Sequence, residues 1–294
     1  MKLPIFTGAS TAIITPFRDG KVDYKKLAQL IDMQIAGNIA AITICGTTGE
    51  GSTLSLEEHV ATVDFCIKHV NSRVKVIAGT GSNDTHAALF LSQEAEKSGA
   101  DALMIVTPYY NKTTQHGLVK HYNFIADRVK TPIIMYNVPP RTGMTFTSET
   151  YIELSKHPLI NGVKEASGNF KLIASTLAAC GENLHFWSGN DEDTVPMMSI
   201  GAKGAISVIS NILPAEIAKM VDFALKGDFK NAAEIQLKYL DLVDKLFIET
   251  SPVPVKTAHN LMGHDVGDVR MPLCDMLPGN LEKLKNAMKA VGLL

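Results

Sequence analysis

A chain of 294 residues with 46 % hydrophobic content can fill one large core or be cut into two ordinary domains, so the repeat pattern has to decide the domain count. A formal net charge of −2, with Lys and Arg spread along the sequence, gives no basic stripe for nucleic acid and no polybasic patch for a membrane, and neither is expected as a partner. No run approaches the roughly 20 apolar residues that span a bilayer and the amino terminus carries no charged-then-apolar leader, so a cytoplasmic protein is expected.

In chain order, short apolar runs alternate with amphipathic stretches, strand then helix. Residues 12–14 precede a helical pattern at 23–36, 40–45 precede 56–70, 74–78 precede 85–97, 102–106 precede 118–129, and 133–138 precede 148–156. Three more units pair 162–166 with 171–179, 185–187 with 194–200, and 204–209 with 215–225. Eight consecutive βα units at a spacing of roughly 25–30 residues fit a closed (β/α)8 TIM barrel better than an open α/β sheet, which needs a point where strand order reverses. Asp23, Ser55, Asp84, Thr147 and Asp193 stand near helix starts, and Gly99, Gly181, Gly201 and Gly227 follow helix ends. Helical patterns at 231–249, 255–262 and 280–291 exceed what closure needs. The expected organisation is a catalytic barrel over residues 1–224 and a C-terminal α-helical extension over 225–294.

Chemistry on such a barrel belongs at the carboxyl ends of its strands. Lys164 sits mid-run in Asn161-Gly-Val-Lys-Glu-Ala-Ser-Gly168, and the preceding strand ends in Tyr136-Asn-Val138 followed by Pro139-Pro-Arg-Thr142, so Tyr136, Arg141 and Lys164 can share one mouth. An amine in a partly desolvated pocket loses its proton more readily and can attack a ketone carbon to form a Schiff base; the plain alternative is an exposed lysine at a strand end. After the second strand, Gly46-Thr-Thr-Gly-Glu-Gly-Ser-Thr53 offers amides and hydroxyls to a small carboxylate, or simply caps a helix, and lacks the lysine of a nucleotide-phosphate loop. Thr107-Pro-Tyr-Tyr-Asn111 supplies two phenols that pack or relay a proton. Ser188-Gly-Asn-Asp-Glu-Asp193 concentrates three acids, as favourable charge at a helix amino terminus or, alternatively, as a divalent-metal site. The histidines show no paired metal motif, and Cys45, Cys66, Cys180 and Cys274 are widely spaced, as reduced core thiols are; no metal and no cofactor is expected.

Three motifs in order, Gly46-Thr-Thr-Gly-Glu50, Tyr136-Asn-Val-Pro-Pro-Arg-Thr142 and Val163-Lys-Glu-Ala-Ser-Gly168, resemble those of the 4-hydroxy-tetrahydrodipicolinate synthases, also called dihydrodipicolinate synthases, within the pyruvate-dependent class I aldolase and lyase superfamily. The resemblance covers essentially the whole chain. It implies condensation of pyruvate with L-aspartate-4-semialdehyde, the first committed step toward diaminopimelate and lysine, with no cofactor beyond the lysine–pyruvate imine. By the same resemblance Lys164 forms that imine, Tyr136 transfers protons, and Thr47 and Thr48 hold the pyruvate carboxylate. The Thr48 hydroxyl links Tyr136 to Tyr110, which comes from the neighbouring subunit of a tight dimer. Arg141 pairs with the semialdehyde carboxylate, and Gly189, Asn190 and the Ile206 carbonyl line the remaining site. Arg141 weighs against the rival reading, a related aldolase such as N-acetylneuraminate lyase or a 2-keto-3-deoxy sugar acid aldolase; an intact catalytic set weighs against a barrel kept only for binding. The family's common assembly implies a homotetramer, a dimer of tight dimers. Lysine-inhibited members carry a histidine and a glutamate at the positions of Leu56 and Ala87. Together with Ser52, His59, Asn83 and Tyr109 these form a degenerate feedback site, and weak or absent inhibition by L-lysine is expected.

Overall fold

The computed structural model describes residues 2–294. The chain opens with β1 (Gly8–Ala12), a short hairpin of β2 (Phe17–Arg18) and β3 (Lys21–Val22), and helix α1 (Tyr24–Ala36). Strand and helix then alternate: β4 (Ala41–Ile44), α2 (Leu56–Val70), β5 (Lys75–Gly79), α3 (Thr85–Ser98), β6 (Ala102–Val106) and α4 (Gln115–Ala126). Next come β7 (Ile133–Asn137), the one-turn α5 (Pro139–Thr142), α6 (Ser148–Leu154), β8 (Ile160–Glu165), α7 (Phe170–Cys180), β9 (His185–Ser188), α8 (Thr194–Ser199), β10 (Gly204–Ser207) and α9 (Pro214–Leu225). The extension is α10 (Phe229–Leu246), α11 (Val253–Leu261) and α12 (Pro278–Ala290). Eight parallel strands close in the order β1, β4, β5, β6, β7, β8, β9, β10 and back to β1, the expected (β/α)8 barrel. Strands buried on both faces read as continuous apolar runs, which is why Ala41–Ile44 and Ala102–Val106 are legible as strands.

Local signals mostly hold. Asp23, Ser55, Asp84 and Thr147 accept first-turn amides of their helices, and Ser55 forms a reciprocal capping box with Glu58. Asp193 does not cap α8; its carboxylate accepts the Asn190 side-chain amide at 2.9 Å. The first strand lies at Gly8–Ala12 rather than 12–14, because Gly-Ala-Ser-Thr-Ala is fully buried without being apolar. Its hydroxyls are satisfied in place, Ser10 against Thr43 at 2.9 Å and Thr11 donating to Gln34 at 2.6 Å. Ile13 and Ile14 are buried in the irregular segment that follows. The last strand ends at Ser207, before a 3-10 turn at Ile209–Asn211.

The amino-terminal end of the barrel is plugged. Phe6 stacks on Trp187 inside it at 5.0 Å between ring centroids, and Lys2 donates to the carbonyls of Ser155, His157 and Ile160 at 2.7, 2.7 and 2.6 Å. The extension joins the main hydrophobic core through Ala232, Tyr239, Leu242, Leu284 and Met288. Among the described residues no helix is long and apolar enough to cross a membrane.

Candidate active site

At the open, carboxyl-terminal end, β7 and β8 pair so that Tyr136 lies opposite Lys164 and Asn137 opposite Glu165. Lys164 is 4 % exposed, with Nζ 4.5 Å from the centroid of the Tyr136 ring. Among the described residues no carboxylate pairs with it. Burial pulls its amine down to about 8; the buried Asp191 carboxylate opposes that fall and Arg141 adds to it. The plain reading of an exposed lysine is therefore excluded. Burial also pushes the Tyr136 phenol up, while Arg141 and a hydrogen bond to Thr47 hold it back.

The hydroxyl beside Tyr136 is thus that of Thr47, not Thr48. Thr47 is exposed and lines a cavity of about 390 Å³ with Tyr136, Val138 and Arg141, whereas Thr48 is buried away from it. The loop begins and ends with a left-handed residue, Cys45 at φ 53° and Glu50 at φ 53°, and this backbone reversal decides which of two adjacent hydroxyls faces inward. Arg141 sits on α5, its Nη2 donating to the Ser251 carbonyl at 3.1 Å, so the extension helps aim it. Gly189 passes close behind Lys164; a Cβ there would stand 2.9 Å from the Ala166 Cβ and 3.1 Å from the Lys164 Cγ. Asn190 is tied to Asp193, and the Ile206 side chain belongs to the barrel-interior cluster that includes Trp187. Tyr110, at φ 67°, is 92 % exposed and outside the cavity of its own chain.

The acids after β9 serve the fold. One Asp191 oxygen accepts the amides of Val208 and Ile209 at 3.0 and 2.9 Å, anchoring the turn after β10, and Asp193 is engaged by Asn190. The sequence pattern did not single out Asp191 from its neighbours; burial does.

A family model described as the dihydrodipicolinate synthetase family matches residues 5–291. The chain belongs to that family. A curated relative, the 4-hydroxy-tetrahydrodipicolinate synthase of Thermoanaerobacter sp. strain X514, is 49 % identical over 293 residues, covering 99 % of each chain. The enzyme of that name from Clostridium novyi strain NT is 46 % identical over 98 % of this chain and 97 % of its own. The crystal structure of dihydrodipicolinate synthase from Aquifex aeolicus superposes with a TM-score of 0.96 at 43 % identity, covering 98 % of this chain and 99 % of that one.

Two features of this synthase-family chain complete the site. Ser52, Leu56, His59, Ala87 and Tyr109 line a wing of the same cavity that reaches Arg141; Asn83 does not line it, and its carbonyl accepts the Asn111 side chain at 3.0 Å. Burial lowers the His59 imidazole, against a backbone hydrogen bond to Gly79 that supports its protonated form. The second feature has no local signal in the sequence. Glu50 of the Thr47 loop is buried and paired with the buried Lys256 Nζ at 2.8 Å, and its other oxygen accepts the Arg270 amide at 2.9 Å. Arg270 in turn grips Glu58 through two contacts of 2.8 and 2.7 Å, which holds that carboxyl near 2. Two residues of the extension therefore fasten the loop that presents Thr47.

Proposed function

We propose that this chain condenses pyruvate with L-aspartate-4-semialdehyde to 4-hydroxy-tetrahydrodipicolinate through a covalent imine on Lys164. The supporting observation is a buried lysine that has no ion-pair partner among the described residues, its amine lowered to about 8, set against Tyr136, which lines a cavity together with Arg141. The neutral amine attacks C2 of pyruvate, and the carbinolamine expels its oxygen as water once protons have moved from nitrogen to oxygen. Tyr136, with the Thr47 hydroxyl, is the group placed to carry them. The iminium draws electrons from the methyl group, which gives up a proton and becomes an enamine. The enamine carbon bonds to the aldehyde carbon of the semialdehyde, whose oxygen takes a proton to become the 4-hydroxyl. The semialdehyde amine then attacks C2 and releases Lys164, closing the ring, so one water leaves overall. Arg141, braced by Ser251, offers a planar fork to the semialdehyde carboxylate, and Thr47, the threonine of its loop that lines the cavity, holds that of pyruvate.

The enzyme so read is cytoplasmic and homotetrameric, a catalytic barrel (1–224) with a helical extension (225–294). Tyr110, projecting from this chain, enters the site of a neighbouring subunit, and Gly189, Asn190 and the Ile206 carbonyl complete the substrate lining. The cavity wing carries Leu56 and Ala87 where lysine-inhibited members carry a histidine and a glutamate, so it lacks an acid for an ammonium group and L-lysine inhibits weakly or not at all.

Borohydride reduction in the presence of pyruvate, read by intact mass and peptide mapping, tests the chemistry. A pyruvyl mass on Lys164 that is absent from Lys164→Ala supports it, and a folded, pyruvate-exposed protein without adduct removes it. Half-inhibition at low or sub-millimolar L-lysine would sink the reading of the wing.

A further inference from the structure

Side chains alternate across a strand, so Tyr136 and Lys164 point into the barrel while their neighbours Asn137 and Glu165 point out beneath α6. At that outer rung Glu165 is fully buried. Its oxygens accept the Asn137 Nδ2 at 2.9 and 3.1 Å, the Tyr151 hydroxyl at 2.8 Å and the Ser167 amide at 2.8 Å. One carboxylate thereby joins β7, α6 and the turn after β8, one residue from the facing Tyr136 and Lys164. Its charge is not among those that move the Lys164 amine, which answers to Asp191 and Arg141. The contribution of Glu165 is geometric.

We propose that Glu165 is a positioning residue that, through Asn137 and Tyr151, sets the separation of Tyr136 and Lys164 across the β7–β8 ladder. The proposal rests on the Lys164 imine reading above. Its weight comes from how closely reacting groups must be aligned: small displacements of a proton-transfer group lower turnover without loosening a substrate held elsewhere. Pyruvate is held by the Thr47 loop of β4, across the barrel from α6, so misplacing Tyr136 against Lys164 acts on kcat and spares KM.

The experiment measures exchange of the pyruvate methyl protons for deuterium, alongside borohydride trapping, in wild type, Glu165→Met, Glu165→Gln and Tyr151→Phe. Glu165→Met keeps the side-chain length but removes the acceptor of the Tyr151 hydroxyl and the Ser167 amide and leaves the Asn137 Nδ2 only the Thr145 hydroxyl at 3.2 Å; kcat for exchange is expected to fall about tenfold or more with KM for pyruvate within about twofold. Glu165→Gln should retain most of the rate, because the Asn137 side-chain Oδ1, which has no partner among the described residues, can turn to accept the new amide. Tyr151→Phe should lower kcat by about threefold, the scale of one hydrogen bond. Equal kcat in wild type and Glu165→Met, or equal loss in the Gln and Met variants, overturns the proposal. If Glu165→Met does not fold, Tyr151→Phe decides, and an unchanged kcat there overturns it. Absence of an adduct in wild type itself brings down the imine reading and the proposal with it, whereas a wild-type adduct with unaffected variants brings down the proposal alone.

Discussion

Two buried lysines stand in this barrel under nearly the same conditions and have opposite fates. Lys164 is 4 % exposed and Lys256 2 %; each places Nζ over an aromatic ring, at 4.5 Å from Tyr136 and 4.3 Å from Phe17. Burial lowers both amines. Lys256, however, meets the Glu50 carboxylate at 2.8 Å and the Asp268 carbonyl at 2.7 Å, which hold its proton in place. Among the described residues Lys164 meets neither a paired carboxylate nor a carbonyl; the charge that supports its proton is that of Asp191, which is already shared with two backbone amides. Reactivity here comes from withholding a partner, and structural anchoring from supplying one.

The largest effect expected from this contrast is on chemistry. Lys164→Met should lose turnover by at least about a thousandfold, as removal of a covalent nucleophile does. Lys256→Met, assayed below its unfolding temperature, should still trap pyruvate on Lys164; loss of trapping in folded Lys256→Met would erase the distinction. Stability should move the other way. Lys256→Met strands the buried Glu50 and costs about 3–5 kcal/mol in chemical denaturation. For Lys164 the sign is opposite: the folded amine, at about 8, binds its proton less tightly than the unfolded amine at 10.5. At pH 7 both states are protonated and the folded state bears the full penalty, which disappears above the unfolded value. Lys164→Met should therefore stabilise the fold by about 3 kcal/mol at neutral pH, a gain that shrinks as pH rises through 8 to 10.5.

The contrast also marks what a sequence can reveal. Lys164 was legible because a lysine within a strand-end motif is anomalous next to Tyr136 and Arg141, and the barrel was legible because most strands are buried on both faces and read as apolar runs. The first strand escaped because its buried residues are small or hydroxylic and pair with Thr43 and Gln34, contacts invisible without the fold. Thr47 and Thr48 could not be told apart from composition, since their orientation depends on positive φ at Cys45 and Glu50. Lys256 carries no signal of its pairing in the sequence, because its carboxylate lies 206 residues away, where no periodicity connects them.

A smaller and more selective effect follows from Asp191. Its charge supports the protonated Lys164, so Asp191→Asn keeps an acceptor for the Val208 and Ile209 amides while removing that support. In wild type the rate of imine trapping should rise with pH and level off above about 8, as the neutral amine becomes the main form. In Asp191→Asn the plateau should be reached at lower pH, by on the order of one unit. A shift to higher pH would mean that Asp191 acts on Lys164 through geometry and not through charge.

The smallest effect belongs to a third lysine that isolates the role of burial. Lys68 contacts Asp64 one helical turn away at 2.7 Å, as close as Lys256 is to Glu50, but with 75 % of its side chain in solvent. Water screens both charges in the folded and unfolded chain alike, so geometry that anchors a loop in the interior contributes little on the surface of α2. Lys68→Ala should change unfolding free energy by no more than about 0.5 kcal/mol, and by less at high salt. A loss there comparable to that of Lys256→Met would mean that the close ion-pair distance, and not the removal of water around it, separates an anchoring lysine from a reactive one.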